Sequence, residues 1–334
     1  MGKEHFIWID WMKVLAMYLI IAGHCSVPGN LYVYVFSVPS FFILSGFLFK
    51  KEPWNLFIKK SFWNYFVPML ILLLINVIYK ALVNGWGFLP IMKVILRSMA
   101  GYQGENYAYG GLGALWFVYT LIVCRLILQL ILHTSHQSTI LFFTIVVFLF
   151  VCVLYNHHEV SPYFQYSSIV NVLLAFPFFA IGFLLSSFKK RICTLPINLI
   201  TTLLFCLSII LIYVCGKNNG LVYLYMCSYG NRLILCLLGG VAGFYSLLYL
   251  SRLCEILIGI KTAIETLGQG TIIILGLHII LMSLLTDLRS ALLGLENGYD
   301  LYLLSLVILL AFIPINIFCK RFFPILCGKY RIVQ

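Results

Sequence analysis

Residues 7–25 read IWIDWMKVLAMYLIIAGHC, an apolar run that nevertheless carries an acid at Asp10, an amine at Lys13 and an imidazole at His24. A helix needs about 20 predominantly apolar residues to cross a bilayer. An ionisable group inside such a segment is costly unless it has a partner or a water-filled cavity. The step from Lys13 to His24 is about three helical turns, which puts both side chains on one face roughly 16 Å apart along the axis. Asp10 lies one turn below Lys13, within about 60° of the same stripe. The first helix is therefore expected to present a polar edge to a hydrated interior path. Two structural readings stay open beside this one: Asp10 and Lys13 as a salt-bridged pair at the membrane interface, and His24 as a cap on the helix end.

Outward from that stretch, composition leads the same way. Of 334 residues 63% are hydrophobic and only 10% charged, and the mean hydropathy is +1.04, whereas soluble domains are about one quarter charged. Apolar segments at 7–25, 31–49, 62–83, 112–132, 139–155, 167–187, 196–215, 229–250, 265–286 and 300–319 predict about ten transmembrane helices. Backbone groups cannot stay unpaired in lipid and no two-residue alternation is present, so the fold is expected to be all-α rather than a barrel. Residues 1–334 are read as a single polytopic membrane domain without an appended soluble module.

The net charge of +12 gathers between spans, at Lys50-Lys51, Lys59-Lys60, Lys189-Lys190-Arg191, Arg252 with Lys261, and Lys320-Arg321. With ten spans and both termini cytoplasmic, these blocks share the cytoplasmic side, as the positive-inside rule requires. The charge then reports topology and contact with anionic lipid, and nucleic acid is excluded as a partner. The eleven cysteines include no Cys-x-x-Cys pair and read as free thiols, mostly inside spans. No metal or prosthetic group is expected. The gap 84–111 is amphipathic in its middle and reads as an interfacial helix followed by a re-entrant or lid-like loop.

The segment Asp10-Trp11-Met12-Lys13 with Gly23-His24 resembles the first-span signature of the acyltransferase-3 family of membrane O-acyltransferases. There a basic residue, more often arginine than lysine, stands eleven positions before a histidine. Phe36-Ser37-Val38-Pro39-Ser40-Phe41-Phe42-Ile43-Leu44-Ser45-Gly46 resembles the family's second span. Pro68, the triplet Leu115-Trp116-Phe117, and Leu267-Gly268 followed by His278 fall in the family's order. Members often carry two arginines before the proline, where this chain has Ser61 and Asn64. The resemblance implies that Lys59 and Lys60 substitute there as donor-binding cations, with Ser45 on the same side. It also implies acetyl-CoA as co-substrate and a multi-pass protein of a bacterial inner membrane, with a glycan or lipid-linked saccharide as acceptor.

Transfer of an acyl group from a thioester to a hydroxyl needs a base, and imidazole titrates near neutrality, so His24 is the candidate, as base or as acyl carrier. Lys13 and Asp10 would contact the donor or hold the polar cavity together. Donors for the tetrahedral intermediate are not identified by the sequence. Trp116, Arg97 and His278 are the candidates on the acceptor or oxyanion side. Each has a structural alternative: Trp116 as an interfacial anchor, Arg97 as a headgroup contact, and His278 as a hydrogen bond between helices. Many spans with a polar intramembrane stripe also describe a transporter of a sugar or lipid-linked precursor, which remains the alternative function.

Overall fold

The computed structural model describes residues 6–103, 112–157, 167–293 and 298–328, with backbone alone at 258 and 286–293. It is all-helical. The chain forms α1 (Ile7–His24), α2 (Asn30–Phe47), α3 (Trp54–Ser61), α4 (Val67–Asn84), α5 (Phe88–Met99), α6 (Trp116–Leu132) and α7 (Gln137–His157). There follow α8 (Val172–Leu185), α9 (Lys189–Cys193), α10 (Leu199–Asn219), α11 (Leu233–Cys254), α12 (Lys261–Gln269), α13 (Thr271–Leu293) and α14 (Asp300–Phe322). Among the described residues nine helices are long and apolar enough to cross a membrane, or ten when the bent pair α12 and α13 counts as one.

Two of the expected spans differ in form. The third runs unbroken from Trp54 to Asn84, because a π-helical turn at Phe62–Phe66 joins α3 to α4. Pro68 stands in the first turn of α4, where its missing N–H disturbs the ordinary ladder. The ninth, expected as one rod over 265–286, is bent by 84° between α12 and α13. Gly270 stands at the bend, where a Cβ would collide with the side chain of Asn316 on α14. The amphipathic helix expected in the gap 84–111 is α5; residues 104–111, where the lid-like loop was expected, lie outside the described residues.

The usual distribution of polarity is inverted, as lipid demands. Asp10, Ser37, Ser40, Thr120, Asn171, His278, Ser305 and Asn316 are buried, while Phe142, Phe143 and Phe150 of α7 and Leu203, Leu207 and Ile210 of α10 face outward. Helix α2 is the hub, packing on α1, α8, α10 and α11. Helices do not gain a hydrophobic driving force from burial against each other in lipid, so small residues that let backbones approach supply the contact. A Cβ on Gly46 would run into the Phe179 carbonyl, and one on Gly182 into that of Ile43. On α11, side chains at Gly239, Gly240 and Gly243 would strike Val35, Phe178 and Phe36.

Gly182→Val is therefore expected to cost at least about 1–3 kcal/mol and to lower the melting temperature and folded yield in detergent. Gly87→Ala, where a Cβ meets nothing within 4 Å, is expected to leave both unchanged. Equal tolerance of the two would refute close α2–α8 packing as a source of stability.

Candidate active site

Helix α1 is enclosed by α2, α11, α12, α13 and α14, and its polar edge lies against them. Asp10 is only 3% exposed. Lys13 Nζ stands 3.5 Å from Asp10 Oδ1, one turn away. Gly268 of α12 makes room for this carboxylate: a Cβ there would sit 2.6 Å from both Asp10 Cβ and Oδ1. The pairing expected from the sequence is present, with Asp10 buried and the Lys13 side chain 27% exposed.

Lys13 also lines a cavity of about 290 Å³ together with Ser45, Asn64, Tyr65, Arg125 and Gln269. Arg125 comes from the middle of α6 and is held by ring faces. Its guanidinium carbon stands 4.8 Å from the Tyr65 centroid, 5.1 Å from that of Phe49 and 5.8 Å from that of Phe57. Cation–π contact of this kind stabilises the charge without consuming its N–H donors. Its Nε is buried with no hydrogen-bond partner among the described residues. The cavity thus combines two cations and two amides in an apolar surround, the composition of an anion site.

The opposite end of α1 carries His24 into a smaller cavity of about 40 Å³, walled by Tyr34, Trp116, Tyr223 and Tyr225. The end of the helix is held firmly. The Gly23 carbonyl accepts from Asn30 Nδ2 at 2.9 Å and from Tyr34 Oη at 3.2 Å. Tyr223 and Tyr225 are presented by a tight turn in which Tyr223 and Ser228 exchange two backbone hydrogen bonds of 3.0 Å. Asn156 of α7 fixes that turn by donating to the Cys227 carbonyl at 2.9 Å. His278 of α13 is fully buried, and its ring centroid lies 5.1 Å from that of His24.

No lining residue is shared by the two cavities. Phe41 and Phe117 line the first and Trp116 the second. With Phe42 they form one aromatic cluster, Phe42 lying 4.6 Å from Phe117 and 6.3 Å from Trp116 between centroids. Tilted and edge-on aromatic rings thus join the walls of the two cavities.

The structure thus brings His24, His278 and Trp116 together at one end and Lys13, Ser45 and Asp10 at the other. Trp116 is buried among the helices, with 7% exposure. Three expected site residues lie apart from both chambers. Arg97 is exposed and stacks over Tyr102 at 5.6 Å. Lys59 is exposed, and Lys60 is ion-paired with Glu52. Neither lysine lines the cavity that holds Lys13 and Arg125.

Two features escaped the sequence reading. Arg125 carried a usable signal, since a lone arginine in the middle of an apolar span marks a functional position by default. The tyrosines at 223, 225 and 229 show only as an aromatic-rich connection, whose neighbours are set by tertiary packing.

A family model described as an acyltransferase domain matches residues 6–319. No curated protein and no solved structure gives a match.

The two-chamber geometry predicts a labelling pattern in a background where the accessible thiols Cys206, Cys254 and Cys327 are serine. A charged thiol reagent should reach Ser45→Cys from one face of the membrane only and Tyr223→Cys from the other only, while Phe42→Cys stays unlabelled. Labelling of both positions from one face, or ready labelling at 42, would contradict the partition.

Proposed function

This chain belongs to the acyltransferase-3 family and is a membrane acyltransferase, and from that premise we propose that it moves an acetyl group from cytoplasmic acetyl-CoA to a hydroxyl of a glycan or lipid-linked saccharide. The observation that carries the reading is the pair of chambers at the two ends of α1, a cationic one at Lys13 and an aromatic one at His24. A thioester donor with a phosphorylated head and a sugar acceptor with apolar ring faces are the two substrates such chambers suit.

The donor's phosphates are assigned to Lys13 and Arg125. In family members guanidinium groups often stand where this chain has Asn64, and Asn64 lines the same cavity. Arg125 supplies a planar fork there from another helix, which suits phosphate better than Lys59 or Lys60. The acyl arm then extends along α1 over roughly 16 Å, the axial distance of about three turns. It has to displace the Phe41–Phe42–Trp116–Phe117 partition to bring the thioester to His24.

At His24 the imidazole takes the proton of the acceptor hydroxyl as its oxygen attacks the thioester carbonyl. A C–O bond forms, the C–S bond breaks, and the proton passes from His24 to the departing thiolate. In the covalent variant a His24 nitrogen attacks the thioester carbonyl and the C–S bond breaks to release the thiolate; the acceptor oxygen then attacks the acetyl-imidazole, the C–N bond breaks, and the hydroxyl proton passes to the thiolate. The indole N–H of Trp116, in the same chamber, is the candidate donor to the intermediate's oxyanion. Both termini are assigned to the cytoplasm of a bacterium and the His24 chamber to the outer face of its inner membrane.

Purified protein in detergent, given radiolabelled acetyl-CoA and a crude glycan fraction, is expected to transfer label, and His24→Ala to reduce transfer by about a hundredfold or more with folding intact. Arg125→Gln is expected to raise the KM for acetyl-CoA by about tenfold or more, the loss of a charge-assisted contact, with kcat nearly unchanged. Undiminished transfer by His24→Ala would remove the catalytic assignment. Solute counterflow in vesicles without any acyl donor would instead favour transport.

A further inference from the structure

His278 is fully buried in α13, and its Nδ1 lies 2.9 Å from the Ile274 carbonyl oxygen one turn earlier. A carbonyl oxygen can only accept, so Nδ1 carries the hydrogen. A neutral imidazole has one N–H and one lone pair, so Nε2 is the acceptor. That acceptor is buried and has no hydrogen-bond partner among the described residues. A histidine serving only to join helices would have its second nitrogen satisfied, because an unmatched buried acceptor is destabilising.

The ring of His24 lies beside it, with centroids 5.1 Å apart and planes inclined by 45°. At that separation nitrogens turned toward each other come within hydrogen-bond reach. His24 needs a companion of this kind. To take a proton with one nitrogen it must hold its hydrogen on the other, and that hydrogen must be anchored by an acceptor. None of the described residues lining the His24 chamber is a carboxylate; its other titratable side chains among them are Tyr34, Tyr223 and Tyr225.

We propose that His278 is the positioning residue of the reaction: its Nε2 accepts the N–H of His24 and thereby turns the basic nitrogen of His24 toward the chamber walled by Tyr223 and Tyr225. This rests on His24 being the base or acyl carrier. The backbone bond to Ile274 sets the tautomer of His278, and His278 sets that of His24. When His24 gains the acceptor's proton, the same contact becomes a charge-assisted hydrogen bond and stabilises the imidazolium. A neutral imidazole does this without a second buried ion, which suits a site at membrane depth. The bond closes as acceptor and donor occupy the site, since catalytic hydrogen bonds tighten on binding.

Replacement by glutamine and asparagine separates this role from packing, because the glutamine amide reaches the place of Nε2 and the asparagine amide only that of Nδ1. His278→Gln is expected to keep kcat within about fivefold of the parent, and His278→Asn to lower it by about a hundredfold, with both KM values unchanged. Added imidazole, but not toluene, is expected to restore part of the activity of His278→Gly. Folded yield by size exclusion in detergent is followed throughout. Equal loss in the Gln and Asn variants, full activity in the Asn variant, or rescue by toluene would each overturn the positioning role. Active His24→Ala would instead overturn the underlying assignment of His24, and the two failures are told apart by that one variant.

Discussion

Hydrocarbon supplies neither hydrogen bonds nor counterions, so the carboxylate, amine and imidazole of α1 dictate which helices must surround it. Much of the bundle can be understood from this constraint. Five helices enclose α1, and each polar group meets a surface shaped for it. Asp10 fits against Gly268, where the absence of a side chain makes the space. Lys13 pairs with Asp10 and reaches a cavity, and His24 faces His278. Asn316 fills the corresponding space at Gly270, so the bend between α12 and α13 is packed by a polar side chain from α14. The same requirement explains why glycines concentrate on the inner faces of α2, α8 and α11. Close backbone approach is the main attraction left when apolar surface gains nothing from leaving lipid.

The aromatic partition gives the two chambers distinct chemistry. Phe41, Phe42, Trp116 and Phe117 contribute ring contacts from α2 and α6, and α2 also carries Ser45, which lines one cavity, and Tyr34, which lines the other. A permanently open channel of this kind would conduct water and protons across the membrane. Rings that interdigitate close it, and rotation about side-chain torsions can open it on a timescale far shorter than typical turnover. In the proposed reaction the binding energy of a long donor arm would be available to displace them.

The sequence disclosed the helices, their order and the polar edge of α1, because hydropathy and helical spacing are local properties. It also placed Ser45 and Trp116 near the site through their position in a family pattern. What it did not disclose depends on relations between distant segments. Gly268 and Gly270 were legible as residues but not as the seats of Asp10 and Asn316, so the broken ninth span read as a straight one. The lysines at 59 and 60 looked like donor ligands by proximity in the chain. In three dimensions Glu52 takes Lys60, while the cavity beyond them is supplied with charge by a residue more than sixty positions away in sequence.

A cavity enclosed by helices meets strict requirements if it is to receive an anion. It needs a delocalised cation whose donors point into the cavity and whose desolvation is compensated without a carboxylate, since an ion pair would compete with the ligand. A guanidinium from the π-helical turn between α3 and α4 could meet this need. Here Asn64 occupies that wall, and Tyr65 beside it turns a ring face toward Arg125 of α6, joined by Phe49 and Phe57. Three ring faces stabilise the charge by their quadrupoles and leave the N–H fork for an anion. Lysine in the same cage would present a point charge with stronger hydration and no fixed plane, so the aromatic setting selects arginine.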